Sequence, residues 1–167
     1  MRLWALGLGL IVLIADLATK AWVQKTLWLQ YYPVIDGFFT IQYATNSGIA
    51  FGWFDKVDSS LKTPILSLMA LLAIGLVLYY IWTTPERDRF LLLSLGLLLG
   101  GIMGNLIDRL LHGAVVDFLK VHWGTKFVWP TFNLADSAIT TGVVVILLYS
   151  FLTPSSQEEP EQKAPSS

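Results

Sequence analysis

Hydropathy constrains this chain more than any other feature. Four apolar runs, at 3–22, 64–82, 90–107 and 134–152, are each long enough to cross a hydrocarbon layer of about 30 Å as a helix. A backbone in lipid must satisfy its own hydrogen bonds, so these runs can only be helices. The rest of the chain agrees: 54% of its residues are hydrophobic and only 14% charged. The expected fold is an all-α membrane protein of four transmembrane helices. A small extramembrane β-hairpin or β-platform is expected between helices 1 and 2, within a region at about 25–62. Residues 1–153 are expected to form a single four-span domain, and the polar, proline-containing, acidic stretch 154–167 a disordered tail.

The first run resembles a secretory signal peptide, with Arg2 as a minimal basic region. Asp16, however, falls where small residues should precede a cleavage site, so an uncleaved helix is expected. Asp16 and Lys20 are spaced i, i+4 and share a face. That spacing fits a boundary ion pair or a polar shelf beside an active site, and both remain open. The connection that follows is aromatic, with Trp28, Phe38, Phe39, Phe51, Trp53 and Phe54, which suits a saddle lying on the membrane surface. Asp36-Gly37 between two β-branched and aromatic runs signals the hairpin turn. Asn46-Ser47-Gly48, taken alone, is a loop with a glycine.

Pro64 suits the first turn of the second helix. In the third, Gly96, Gly100 and Gly104 make a stripe that lets another helix approach closely. That helix delivers Asn105, Asp108 and Arg109 to its far end, where Asp108 and Arg109 are candidates to pair, and Gly113 should end it. The β-branched segment 114–121 can be extended. Asn133 is placed to cap the fourth helix, with Asp136 three residues on in a capping-box-like arrangement.

With the spans drawn this way, Asp16, Lys20, Asn46, Asn105, Asp108, Arg109, Asp117 and Asp136 all gather at one boundary of the membrane. Ionisable groups there are costly and point to function. The composition narrows the chemistry. The chain has no cysteine, which excludes thiol catalysis, disulfides and Cys-based metal sites. Two histidines argue against a His-rich metal centre, no cofactor is indicated, and a net charge of −1 suggests no nucleic-acid partner. Two carboxylates sharing a proton in a low-dielectric site can activate water and polarise a carbonyl without a metal. Asp16 has Lys20 on its face and Asp108 has Arg109 beside it, whereas Asp136 has no basic residue within four positions. The residues alone favour Asp117 with Asp136. A proton-coupled transporter would want its acids nearer the midplane. A serine hydrolase built on Ser47 lacks a recognisable nucleophile motif. Charge leaves orientation open, because raw counts of Lys and Arg and their density per loop point opposite ways.

In order along the chain stand Asp16-x-x-x-Lys20, Asn46-x-Gly48-x-Ala50-Phe51, Gly104-Asn105-x-x-Asp108-Arg109, Gly113-x-Val115-x-Asp117-Phe118 and Phe132-Asn133-x-Ala135-Asp136. Over 3–150 the chain resembles the bacterial lipoprotein signal peptidases, or type II signal peptidases. The resemblance implies a membrane-embedded aspartyl endopeptidase with Asp117 and Asp136 as its catalytic pair. It implies a diacylglyceryl-modified prolipoprotein substrate drawn from membrane lipid, cut just before the lipidated cysteine. Asn46, Gly48, Asn105, Arg109 and Asn133 would hold substrate, with Asp16, Lys20 and Asp108 as support. It also implies inhibition by globomycin-type cyclic peptides. The expected location is the bacterial inner membrane, with both termini cytoplasmic and the active site toward the periplasm.

Overall fold

The computed structural model describes residues 1–28, 30–48, 59–124 and 126–152. Four helices carry the architecture: α1 (Arg2–Thr26), α2 (Ser59–Thr83), α3 (Arg89–His112) and α4 (Leu134–Leu152). Each contains a stretch long and apolar enough to cross a membrane. Their outward faces carry large apolar side chains such as Leu10, Leu72 and Leu148, suited to lipid.

α3 is the central helix, packing against α1, α2 and α4. Glycine makes this possible on two of its faces. Toward α1, a Cβ on Gly96 or Gly100 would strike the backbone carbonyl of Ala5 or Gly9. Toward α4, a Cβ on Gly101 would lie 2.5 Å from the carbonyl of Ala135, and one on Gly142 of α4 2.9 Å from that of Ser94. Close backbone approach of this kind substitutes for the hydrophobic drive that lipid does not supply. At the end near the termini the core is apolar: Ala5, Val77, Ile81, Leu92, Leu95 and Leu99. Arg2 fastens that end by donating to the carbonyls of Ile81 and Thr84.

One expectation needs correction, and a second is met and extended. α2 begins at Ser59, so Pro64 lies inside the helix rather than in its first turn. A ring this close to the N-terminus removes one helical hydrogen bond and has little helix ahead of it to clash with. The second concerns the sheet. The hairpin of β1 (Tyr31–Ile35) and β2 (Phe39–Asn46) is present, turning at Gly37 with φ 73°. It is half of a four-stranded antiparallel sheet in the order β1-β2-β3-β4. β3 (Val115–Trp123) and β4 (Phe127–Val128) come from between α3 and α4. β3 follows directly on α3, whose C-cap Gly113 takes the left-handed conformation (φ 73°) and donates its N–H to the carbonyl of Arg109. Expectations for Ile49, Ala50, Phe51, Trp53, Phe54 and the tail 154–167 lie outside the described residues.

Candidate active site

Lys20 organises the polar end of the bundle. Its ammonium lies 2.7 Å from Asp16 Oδ2, one helical turn away, and 3.0 Å from Asp108 Oδ2 on α3. It also donates to Asn105 Oδ1 at 2.9 Å. The contact with Asp16 Oδ2 is off the hydrogen-bonding direction, so it is a Coulombic contact rather than a directed bond. All four residues are buried. Each acid also accepts from a backbone N–H: Asp16 Oδ1 from Ala135 at the head of α4, and Asp108 Oδ2 from Val116 in β3. One lysine and two carboxylates thus lock α1, α3, α4 and the sheet together. Asp16 and Lys20 are a buried pair, enclosed by the other helices rather than facing outward. Gly104 makes room for it, since a Cβ there would strike the Asp16 carboxylate.

The expected Asp108–Arg109 pair is not formed. Successive helical residues point about 100° apart. Asp108 therefore turns to Lys20, while Arg109 donates back to the carbonyl of Asn105 at 3.2 Å. Among the described residues, Arg109 has no carboxylate within ion-pair distance.

Asp117 and Asp136 are held by amides instead. Asp117, in β3, is fully buried. Its Oδ2 accepts from Asn46 Nδ2 at 3.0 Å and its Oδ1 from Asn133 Nδ2 at 2.8 Å. A bulge in β2 sets the first of these. The register runs Ile41 opposite Leu119 but Ala44 opposite Asp117, so β2 carries one extra residue. Because side chains alternate along a strand, that residue brings Asn46 to the same face as Asp117. Without it, Asn46 would project from the other side. Lys120, three residues on in the same strand, belongs to the opposite face.

Asp136 lies in the first turn of α4. Its Oδ1 accepts from Asn105 Nδ2 at 2.7 Å, and its Oδ2 from the backbone N–H of Asn133 at 3.3 Å. Its own N–H donates to Asn133 Oδ1 at 2.8 Å, completing the expected capping box. Asn133 therefore touches both acids, with its side chain on Asp117 and its backbone on Asp136. Burial and then the nearby Asp136 push the Asp117 carboxyl up to about 6, while the amides of Asn46 and Asn133 pull it back.

Asn46 and Asp136 border a cavity of about 1050 Å³ that Gly48, Arg109, Trp129 and Thr140 also line, among others, whereas Asp117 is fully buried behind Asn46 and does not line it. Gly48 closes a tight turn, donating its N–H to Asn46 Oδ1 at 2.8 Å with φ 90°, and Leu66 leaves no space for a Cβ. The expected site residues separate into three roles by position. Asn46, Gly48, Arg109 and Asp136 face the cavity. Asn105 and Asn133 are buried, with their amides spent on the carboxylates. Asp16, Lys20 and Asp108 lie behind them. Ser47 also lines the cavity, but Lys20 is fully engaged elsewhere and is no base for it. Trp129, Thr140 and Thr141 line the cavity without having been expected there. A hydroxyl in an apolar span gives no signal until the facing helix is known.

Comparison with known proteins points one way. The family model for signal peptidase (SPase) II matches residues 8–152. The lipoprotein signal peptidase of Syntrophus aciditrophicus is 40% identical over 139 residues, covering 83% of this chain and 86% of the relative. That of Nitrobacter hamburgensis is 40% identical over 158 residues, 92% of each chain. A solved bacterial membrane enzyme superimposes with a TM-score of 0.78 at 28% identity, covering 95% of this chain and 93% of its own.

Proposed function

This chain belongs to the signal peptidase II family of membrane peptidases, and on that premise we propose that it removes signal peptides from diacylglyceryl-modified prolipoproteins, with Asp117 and Asp136 as its catalytic acids. The bond cut is the one just before the lipidated cysteine. One observation carries the reading. Asp117 and Asp136 are tied together through Asn133 and, among the described residues, accept from amides rather than from a lysine or arginine; Asp136 lines the cavity and Asp117 is buried against Asn46 of its lining, while Lys20 sits between Asp16 and Asp108. Amides fix a carboxylate's position without neutralising it, which leaves it available for proton transfer.

Asp117, the acid whose surroundings favour its proton, polarises the scissile carbonyl. Asp136, in the positive field of a helix N-terminus, takes a proton from the attacking water. As the tetrahedral intermediate collapses, that proton passes to the departing amine of the lipidated cysteine. The other product is the signal peptide with a free carboxylate. The Arg109 guanidinium is placed to stabilise the carbonyl oxygen or the substrate backbone, alongside Asn46 and Gly48. Asn105 and Asn133 hold the acids in place.

The working unit is residues 1–153. It lies in the bacterial inner membrane with both termini cytoplasmic and the pair toward the periplasm, where a lipidated substrate presents its cleavage site at the headgroup level. Globomycin-type cyclic peptides would compete for the same cavity. The test is release of signal peptide from a purified diacylglyceryl-modified prolipoprotein by the reconstituted protein. No release by the folded wild-type protein would overturn the reading.

A further inference from the structure

Peptide hydrolysis changes the charge of what the cavity holds. The scissile carbonyl carbon, neutral in the substrate, becomes a carboxylate whose added oxygen comes from water, and the cysteine nitrogen leaves as an ammonium. The new anion forms beside Asp117 and Asp136, which already act on each other through space. A further carboxylate there is repelled unless a cation faces it.

Among the described residues, Arg109 is the only basic side chain in the cavity wall. Lys20 is no rival, because its ammonium is enclosed by Asp16, Asp108 and Asn105. The Arg109 guanidinium is engaged far less. Among the described residues its one hydrogen bond runs from Nη1 to the carbonyl of Asn105, at 3.2 Å. Asp136 is the acid that acts on it most strongly through space, followed by Asp117 and Asp108, yet none of the three pairs with it. Arg109 and Asp136 thus border one cavity without touching, and a ligand between them meets both. A guanidinium presents parallel N–H donors that match the two oxygens of a carboxylate.

We infer that Arg109 is the seat of the product carboxylate: the cleaved signal peptide is held in the cavity as an anion paired with the guanidinium, and peptides ending in a free carboxylate inhibit the enzyme. The inference rests on the functional reading above and deepens it. The substrate offers a neutral carbonyl to the same guanidinium, so the pairing strengthens once the bond is cut and slows release of the signal peptide. The charged groups around the product are Arg109 from α3, Asp136 from α4 and Asp117 from β3, with Lys20, Asp16 and Asp108 packed behind them. The Asp117 carboxyl, pushed up to about 6 by burial and then by Asp136, is neutral below that pH and repels the product above it.

The test uses the full chain in phospholipid nanodiscs and a signal peptide that ends at the residue before the cysteine. The peptide is made as the free acid and as the carboxamide, each with a fluorophore at its N-terminus. Anisotropy then gives Kd directly, and inhibition of prolipoprotein cleavage gives Ki. At about pH 5 the free acid should bind about ten- to a hundredfold more tightly than the carboxamide, the size of one or two charge-assisted hydrogen bonds. That ratio should shrink as pH rises through about 6. Arg109→Gln should abolish the preference, and Arg109→Lys, which keeps the charge without the fork, should retain part of it. Equal Kd for the two peptides in wild-type protein overturns the inference, whether or not the variants fold. So does a preference that survives Arg109→Gln in a protein of wild-type Tm. Prolipoprotein cleavage by wild-type enzyme with equal Kd sinks the carboxylate seat alone, whereas no cleavage sinks the functional reading as well.

Discussion

Four aspartates are placed near one end of this bundle, and they divide into two pairs that differ in what holds them. Asp16 and Asp108 face Lys20 at 2.7 and 3.0 Å, and each also accepts from a backbone N–H that ties one element to another. Asp117 and Asp136 have no lysine or arginine within ion-pair distance among the described residues; they accept from Asn46, Asn105 and Asn133. The side-chain chemistry is the same in both pairs. The first pair is neutralised in part and spent on assembly. The second is oriented but left with its charge problem unsolved, and burial plus mutual repulsion then raise Asp117 to about 6. The difference predicts opposite consequences when each pair is disturbed.

The largest effects should separate activity from assembly. Asp117→Asn and Asp136→Asn should each lower kcat by a factor of about 10²–10⁴ or more, the range for loss of a positioned acid or base, with membrane insertion and thermal stability retained. Near-normal turnover by either variant would break the proposed pair. Lys20→Met should do the reverse at the level of the fold. It leaves two buried carboxylates without their cation, a loss of about 3–5 kcal/mol, read as a large fall in Tm in detergent. A Lys20→Met protein with wild-type Tm would show that the first pair is not structural. Gly104→Ala should be milder, about 1–3 kcal/mol, because the added methyl group presses on the Asp16 carboxylate between α3 and α4.

How far the sequence led follows from how local each signal was. The four spans, the turn at Gly37, the cap at Gly113 and the Asn133–Asp136 capping box were readable because each depends on residues within a few positions of one another. Asp16 with Lys20 was readable as a shared face, but not Lys20 reaching Asp108, which lies on a different helix. The mistaken Asp108–Arg109 pairing shows the cost of reading adjacency as contact in a helix. The pairing of the sheet beyond its hairpin was hidden for the same reason, although 114–121 was readable as an extended segment. β2 and β3 are far apart in sequence, and neither strand carries a mark that names its partner. The β2 bulge that brings Asn46 to Asp117 was invisible without that register. Catalytic candidates emerged early because unpaired acids are rare near lipid, whereas the groups that orient them only emerged with the tertiary contacts.

The smallest predicted effect is also the most specific to the second pair. Its sign follows from the causes acting on Asp117. Burial and Asp136 hold the proton on, and the Asn46 amide, bonded to Oδ2 at 3.0 Å, favours its release. In the proposed mechanism Asp117 works in its protonated form, so kcat/KM should fall as pH rises through about 6. Asn46→Ala removes a donor to the carboxylate and should move that alkaline limb to higher pH, in addition to any loss of substrate binding. Stability carries the same sign. The folded state binds this proton more tightly than the unfolded chain, whose carboxyl has its ordinary value of 3.8. Stability contributed by Asp117 is therefore greatest at low pH and declines between about pH 4 and 6, by an amount of order 3 kcal/mol at most, then levels off. Asp117→Asn should flatten that decline and Asp108→Asn should not. If Asn46→Ala instead moves the acid limb to higher pH and leaves the alkaline limb in place, Asp117 is working as the base, and the roles within the pair are exchanged.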